Sequence, residues 1–490
     1  MKNFFILFIV LLFISSCSVQ KRTTVKKYAL QQVSSDYDLF RNIIEDSHPG
    51  LYWYTPKDSM DQYFDIGRNM LQDSMTELQF RTVLSYVAAK LRCGHTAVRP
   101  SKRVSQQKDS LRNQLFPLNF KIWQDTAVIT SNINRTDSVI KRGMLVTQID
   151  GLPMRQIVDS LFEYLSGDGY NLTHKYQTLS NRGTFNYLYP AVFGYKKKYS
   201  INYIDSFGKA QTNFVSIYKP AKDTTDKKKE KQKKTPKKDR RKMQLLFNRS
   251  FLIDTSLNTA FMGLHTFTKP GKLRPFFRRY FKSLKKDGVN NLVIDLRGNG
   301  GGSVTNSNLL TKYISDRPFK IADSLYTRRK HSAFAKYQQD RLSNWLFKVF
   351  MTRKRSDGNY HFGYYERKQF LPKKKNHFNG QVYVLSGGNT FSASTLFIKS
   401  VKDQKNVIVI GEETGGGAYG NNAWLIPDVT LPITKVRFRL PLFRLVIDKN
   451  EVKGMGVQPE VLSLPTVEAI RKNIDFKTEK AVELIKSANK

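Results

Sequence analysis

The stretch Leu385-Ser-Gly-Gly-Asn-Thr-Phe-Ser-Ala-Ser-Thr-Leu-Phe397 reads as the end of a strand, a glycine turn and the start of a helix, with the hydroxyl of Ser392 on the first helical turn. Helix N-termini leave backbone N–H groups unpaired and carry positive potential. A nucleophile and an oxyanion hole need that geometry. The same unit occurs earlier, where a strand ends in Asp295-Leu-Arg-Gly-Asn-Gly-Gly-Gly302 and four glycines permit close backbone approach. Ser392 is the expected nucleophile, and the N–H groups of Gly301 and Ala393 the expected oxyanion hole. Taken alone, Ser392 reads equally well as a plain N-cap; the second glycine turn favours chemistry. Asp295 and Arg297 read as an ion pair bracing the turn.

A serine hydroxyl needs a base. Of seven histidines, His95 in Leu91-Arg-Cys-Gly-His-Thr-Ala97 is the best placed, just past a helix end, although it precedes Ser392 by 297 residues and the pairing is tertiary. His48 before Pro49 reads as a turn residue, His265 as near a core strand, and His174, His331, His361 and His377 lie in polar segments. No two histidines have metal-ligand spacing, so neither metal nor cofactor is expected. Gly298-x-Gly300 lacks a following P-loop lysine, which argues against a nucleotide site.

The elements that must hold these groups follow from periodicity. Leu39, Phe40, Ile43 and Ile44, then Met60, Phe64, Met70 and Leu71, mark two helices, and Thr76 with Gln79 forms a capping box for a third. We read 33–105 as an N-terminal helical domain carrying the His, and 106–218 as a β-rich domain with strands at Ala127–Thr130 and Tyr199–Tyr203 and a helix near Met154–Leu165. Residues 219–244 are a Lys-rich linker expected to be disordered, with 13 basic and 4 acidic residues from Lys219 to Lys242. Residues 245–470 are an α/β core with buried strands at Thr259–Gly263, Asn291–Asp295, Gln381–Leu385 and Val407–Ile410. A basic aromatic insertion, 326–376, either edges the site or packs on the core, and 471–490 form a C-terminal helix or tail.

At the N-terminus, Lys2, the apolar run Phe4–Ile14 and Ser15-Ser16-Cys17 form an export signal too short to span a membrane. The small residues before Cys17 resemble a bacterial lipoprotein signal, implying cleavage after residue 16, lipidation of Cys17, a tether over 17–32 and a place in the cell envelope. Cys93 is the only other cysteine, so no disulfide is expected within the lipidated chain. The formal charge of +42 is spread along the chain. It suits anionic envelope lipids, or no specific partner, and nucleic acid is disfavoured by export.

Taken in order, Asp295–Gly302, Thr390-Phe-Ser-Ala-Ser394, Gly411-Glu-Glu-Thr-Gly415 and Gly454-Met-Gly-Val-Gln-Pro-Glu460 resemble the S41 family of serine peptidases, as does His48-Pro-Gly-Leu-Tyr52. Ile140–Pro153, with Asp150-Gly151, resembles the core of a PDZ domain. The expected peptide-carboxylate loop is replaced by Phe116-Pro-Leu-Asn-Phe120, which leaves only strand addition at the sheet edge. The resemblance implies a crotonase-like (ClpP/crotonase) α/β protease core with a PDZ-like domain, and protein or peptide substrates cut through a serine acyl-enzyme. Processing members use a Ser-Lys pair, but Gly417 stands at the Lys position. The tricorn-type branch, with a His from a Gly-His motif and a distant Glu, is the better match. It implies His95 as base and Glu451 as the residue orienting it, with Glu412 as the fallback. A silent peptide- or lipid-binding protein on the same fold, or a PDZ-type envelope scaffold, are the alternatives.

Overall fold

Two strands with no exposed residues, Asn291–Asp295 and Gln381–Ser386, fit the middle of a sheet covered on both faces, and they form the centre of the second half of the chain. The computed structural model describes residues 25–106, 115–134, 137–217 and 236–488. Its central sheet has six strands in the order Arg249–Asp254, Thr259–Leu264, Asn291–Asp295, Gln381–Ser386, Val407–Gly411 and Val461–Leu462. The first pair is antiparallel and the remaining pairs are parallel. Alternate residues of each strand face opposite ways. Leu292, Ile294, Val382 and Val384 therefore pack under helices that include Leu273–Lys286, Val304–Ile314 and Ala393–Val401. Val293, Tyr383 and Leu385 meet Ala481 and Ile485 of the C-terminal helix Phe476–Ala488. Parallel strands deliver both glycine turns at the same sheet end, which is why two segments about ninety residues apart can build one site.

The N-terminal helices are Leu30–Ser47, Lys57–Asn69 and Glu77–Lys90. The last begins with the anticipated capping box, Thr76 N–H donating to Gln79 Oε1 (2.9 Å) and Gln79 N–H to Thr76 Oγ1 (3.3 Å). These helices share one core with the second half of the chain: Phe40, Phe80, Val87 and Leu91 lie with Val429, Phe438, Leu440 and Phe443. A buried carboxylate makes the join specific. Asp36 accepts hydrogen bonds from Ile433 N–H (3.2 Å), Thr434 N–H (2.7 Å) and the Thr434 hydroxyl (2.7 Å). The strand Val98–Arg99, just after His95, completes a three-stranded sheet with Arg437–Arg439 and Asp428–Thr430.

The middle region is an antiparallel sheet of Leu118–Trp123, Thr126–Asn132, Leu145–Ile149, Lys198–Ile204 and Ala210–Ser216. Its turn at Asp150-Gly151 takes positive φ at both residues (52° and 81°), and the helix Met154–Phe162 follows. The Leu118–Trp123 edge is engaged by the chain's own helix, the Ser180 hydroxyl accepting from Ile122 N–H at 2.9 Å.

Residues 1–24, with the signal and Cys17, and 218–235, most of the Lys-rich stretch, lie outside the described residues. The end of that stretch departs from the expected disorder. Lys237–Asn248 is a helix, preceded by Pro236 and built from good helix formers, with Phe247 stacked on His265 at 5.7 Å. Among the described residues no helix is long and apolar enough to cross a membrane.

Candidate active site

The two glycine turns are tied together by buried polar groups. Thr390 donates its hydroxyl to Leu296 O (2.8 Å) and accepts from Gly387 N–H (3.1 Å), while Phe391 N–H donates to Asn299 O (3.1 Å). Ser392, held next in line, adopts φ 56° and ψ −121° directly before the helix Ala393–Val401. A side chain in that region is strained by about 1–3 kcal/mol. Ser392 occupies the N-cap position, but its hydroxyl makes no capping hydrogen bond. Strain without a structural hydrogen bond is the mark of a side chain aimed at something else.

Gly301 lies directly against this residue. A Cβ there would stand 2.7 Å from Phe391 O, 2.8 Å from Ser392 Cβ and 2.9 Å from Ala393 N, and its φ is 93°. Gly301→Ala is expected to destabilise the fold by about 2 kcal/mol or more and to displace Ser392, which chemical denaturation and peptide hydrolysis would report. Gly301 has another role than the expected one, however. Its N–H donates to Asn299 Oδ1 at 2.9 Å and is thereby occupied. Gly302, exposed and on the wall of the Ser392 pocket, uses its N–H in none of the hydrogen bonds among the described residues.

His95 is brought to this turn from the other end of the chain. Its ring packs on Phe391 at 4.9 Å, and His174 packs on the same Phe391 at 4.8 Å. Gly94 permits this approach, since a Cβ there would meet the Phe391 ring at 2.5 Å. His95 is 5% exposed and neither ring nitrogen has a partner. Burial pushes its pKa down to about 3, and the charges of Arg439 and His174 act in the same direction. The ring is therefore neutral across the ordinary pH range, with a lone pair free to accept a proton once charge develops beside it. It does not hydrogen-bond Ser392 here; such bonds are often loose before substrate binds.

Neither expected acid reaches His95. Glu451 instead pairs at 2.7 Å with Lys399, on the nucleophile's own helix, because a nearby turn sets Asp448 and Glu451 on either side of that ammonium. Glu412 lies at the sheet end with Lys477 (2.5 Å) and Lys121 (3.9 Å). The acid beside the His95 loop is Asp168, whose Oδ1 accepts from Gly94 N–H (2.8 Å) and whose Oδ2 accepts from Gly417 N–H (3.3 Å). Burial raises its pKa to about 6. Sequence reading missed Asp168 because Gly167-Asp-Gly169 reads as an ordinary turn. It reads His174 as polar, yet His174 is half-buried, with Nδ1 2.7 Å from Gly388 O. The expected brace is present, Arg297 meeting Asp295 at 2.7 Å and also Asp475.

Ser392 opens into a pocket of about 640 Å³. Leu396, Ala423, Trp424 and Leu445 supply apolar walls, and Asn421 and Arg439 supply polar ones. Tyr365, from the basic aromatic insertion, lines it as well and packs on Trp424 at 4.7 Å, so this part of the insertion edges the site. Among the described residues no group of three His, Cys, Asp or Glu side chains is placed to hold a metal.

Residues 258–462 match Peptidase family S41. The crystal structure of mature CPAF superposes with a TM-score of 0.60 at 13% identity, over 93% of this chain and 97% of that one. The structure of mature CPAF complexed with lactacystin gives a TM-score of 0.61 at 14% identity, over 94% and 98% of the two chains. No curated protein matches the sequence.

Proposed function

We propose that this chain, whose residues 258–462 match Peptidase family S41, is a serine peptidase that cleaves peptide bonds through an acyl-enzyme on Ser392 with His95 as base. The carrying observation is the strained, uncapped Ser392 at a helix N-terminus, facing a pocket and packed against Gly301. His95 takes the Ser392 proton as the hydroxyl attacks the carbonyl carbon, then gives it to the leaving amine, and water releases the acyl group by the reverse sequence. The oxyanion forms against the helix N-terminus, with Ala393 N–H as one donor and Gly302 N–H, in place of Gly301, as the other. Asp168 sets the position of His95 through the backbone of Gly94. With Gly417 where the Lys would stand, no ammonium is available there to serve as base.

The reading extends to place. A signal ending at Cys17 would leave the enzyme lipid-anchored in the cell envelope, its basic surface favouring anionic lipid. Strand addition in the scaffold alternative is disfavoured at the Leu118–Trp123 edge, where Ser180 already engages Ile122, and is left to the opposite edge, Ala210–Ser216.

The test is mass spectrometry of an unfolded protein and a peptide library incubated with the chain lacking its first 17 residues. Cleavage by the wild type that is lost in Ser392→Ala and in His95→Ala supports the mechanism. Cleavage that persists in Ser392→Ala overturns it.

A further inference from the structure

Arg439 is an unpaired cation on the wall of the nucleophile's pocket. It ends the strand Arg437–Arg439, and its backbone N–H donates to Ala97 O at 3.0 Å, fixing the strand beside the His95 loop. The carboxylate directly opposite in the sheet, Asp428, is already engaged, by Arg437 Nη1 at 3.0 Å and Arg99 Nη1 at 3.2 Å. Two guanidinium groups thus share that carboxylate, and the third, that of Arg439, has no hydrogen bond or ion pair among the described residues. A half-buried cation without a counter-ion is unfavourable unless something else supplies the charge.

A second observation points into the same pocket. Asn421 is 2% exposed, lines the cavity with Arg439 and Ser392, and neither its Oδ1 nor its Nδ2 has a partner. Its strand pairs across to Leu445, which fixes it in place. Buried amides are ordinarily satisfied. An unpaired donor-acceptor group and an unpaired guanidinium, with apolar walls between, describe a subsite for a chain that brings its own amide and its own negative charge.

We infer that Arg439 and Asn421 form an anion subsite of the Ser392 pocket that binds a carboxylate of the peptide being cut, Arg439 taking the charge and Asn421 an adjoining peptide group. The carboxylate comes from an Asp or Glu side chain or from a free C-terminus. This inference rests on the peptidase reading. Arg439 also lies close enough to His95 to disfavour its protonated form. A carboxylate bound at Arg439 would offset that charge as His95 takes up its proton, so the subsite would favour turnover as well as binding.

The experiment uses matched peptides that differ only in charge, Asp or Glu against Asn or Gln at each position, and free against amidated C-termini. Hydrolysis is followed as kcat/KM, and binding to the Ser392→Ala variant by fluorescence anisotropy. Expected is a preference of about 10- to 100-fold for the charged member of one pair class, in both readouts, since hydrogen bonds to charged groups discriminate on that order. Which class shows it distinguishes a side chain from a C-terminus. Arg439→Gln should collapse the ratio, and Arg439→Lys should retain part of it. No charge preference in the wild type, or one surviving Arg439→Gln with an unchanged melting temperature, overturns the inference. If nothing is hydrolysed but Ser392→Ala discriminates by charge, the peptidase reading falls and the subsite stands. Should Arg439→Gln fold poorly, the wild-type comparison decides alone.

Discussion

Replacing Ser392 by glycine is expected to abolish turnover and to make the protein more stable. The serine sits at φ 56° and ψ −121°, a conformation glycine adopts freely, and its hydroxyl caps nothing. Relief of strain should therefore raise the unfolding free energy by about 1 kcal/mol or more. Ser392→Ala keeps the Cβ and loses no structural hydrogen bond, so its stability should stay within about 0.5 kcal/mol of wild type. In both variants hydrolysis should fall by roughly 10⁴-fold or more, the scale seen when the nucleophile of a catalytic serine system is removed. Urea unfolding beside a fluorogenic peptide assay separates the two effects. A glycine variant less stable than the alanine variant would show that the backbone is not strained, and alanine retaining wild-type turnover would remove Ser392 from the chemistry.

The second large effect concerns His95. His95→Gln should lower hydrolysis by several orders of magnitude, because it removes the proposed base, the buried imidazole that packs on the turn residue Phe391 with both ring nitrogens free. It should also change how stability depends on pH. The folded pKa of His95 is lowered to about 3 from 6.5, so the unfolded chain binds a proton that the folded chain does not, and stability is lost as pH falls from about 6.5 towards 3. Each such group contributes a slope of up to about 1.4 kcal/mol per pH unit. His48, lowered likewise to about 3 by burial, adds a second contribution of the same sign. Asp168 acts oppositely: raised from 3.8 to about 6, it favours the folded state as pH falls through 6 and offsets part of the loss down to about 3.8. Unfolding measured between pH 7 and 4 should therefore show a shallower acid loss for His95→Gln than for wild type. An unchanged slope would mean that His95 is solvated rather than buried.

What could be read before the structure was local. Strands such as Asn291–Asp295 and Gln381–Ser386 announce themselves as unbroken apolar runs, and the glycines after them as turns, so the nucleophile turn was found within its own dozen residues. The helices were legible from periodicity, and Thr76 with Gln79 from a single hydrogen-bond pattern. The failures are those of reach. Which acid stands near His95 depends on packing between segments scores of residues apart, and nothing in Asp168 distinguishes it from a turn aspartate. Glu451 was chosen for its place in a family pattern, and Lys399 had a prior claim on it. Arg439 was one of 82 basic residues, and only the sheet register shows that Asp428 is committed to its neighbours. The Gly301 donor failed for a subtler reason: the side chain of Asn299, two residues away, turns back to occupy it.

Asp36 and its three hydrogen bonds to residues 433 and 434 set a timetable as well as a contact. Ser392, Gly302 and Ala393 belong to turns that the later half of the chain can form among its own strands, but His95 belongs to the N-terminal segment that docks on residues 433 and 434 through Asp36. Contacts spanning nearly four hundred positions close slowly, because the intervening chain must be ordered before they reward it. Docking of the N-terminal helices onto Val429 to Phe443 is thus expected to be the late step that brings His95 to the Ser392 turn. Until that closure the proposed nucleophile would stand without its proposed base, and the newly made chain is expected to be inactive.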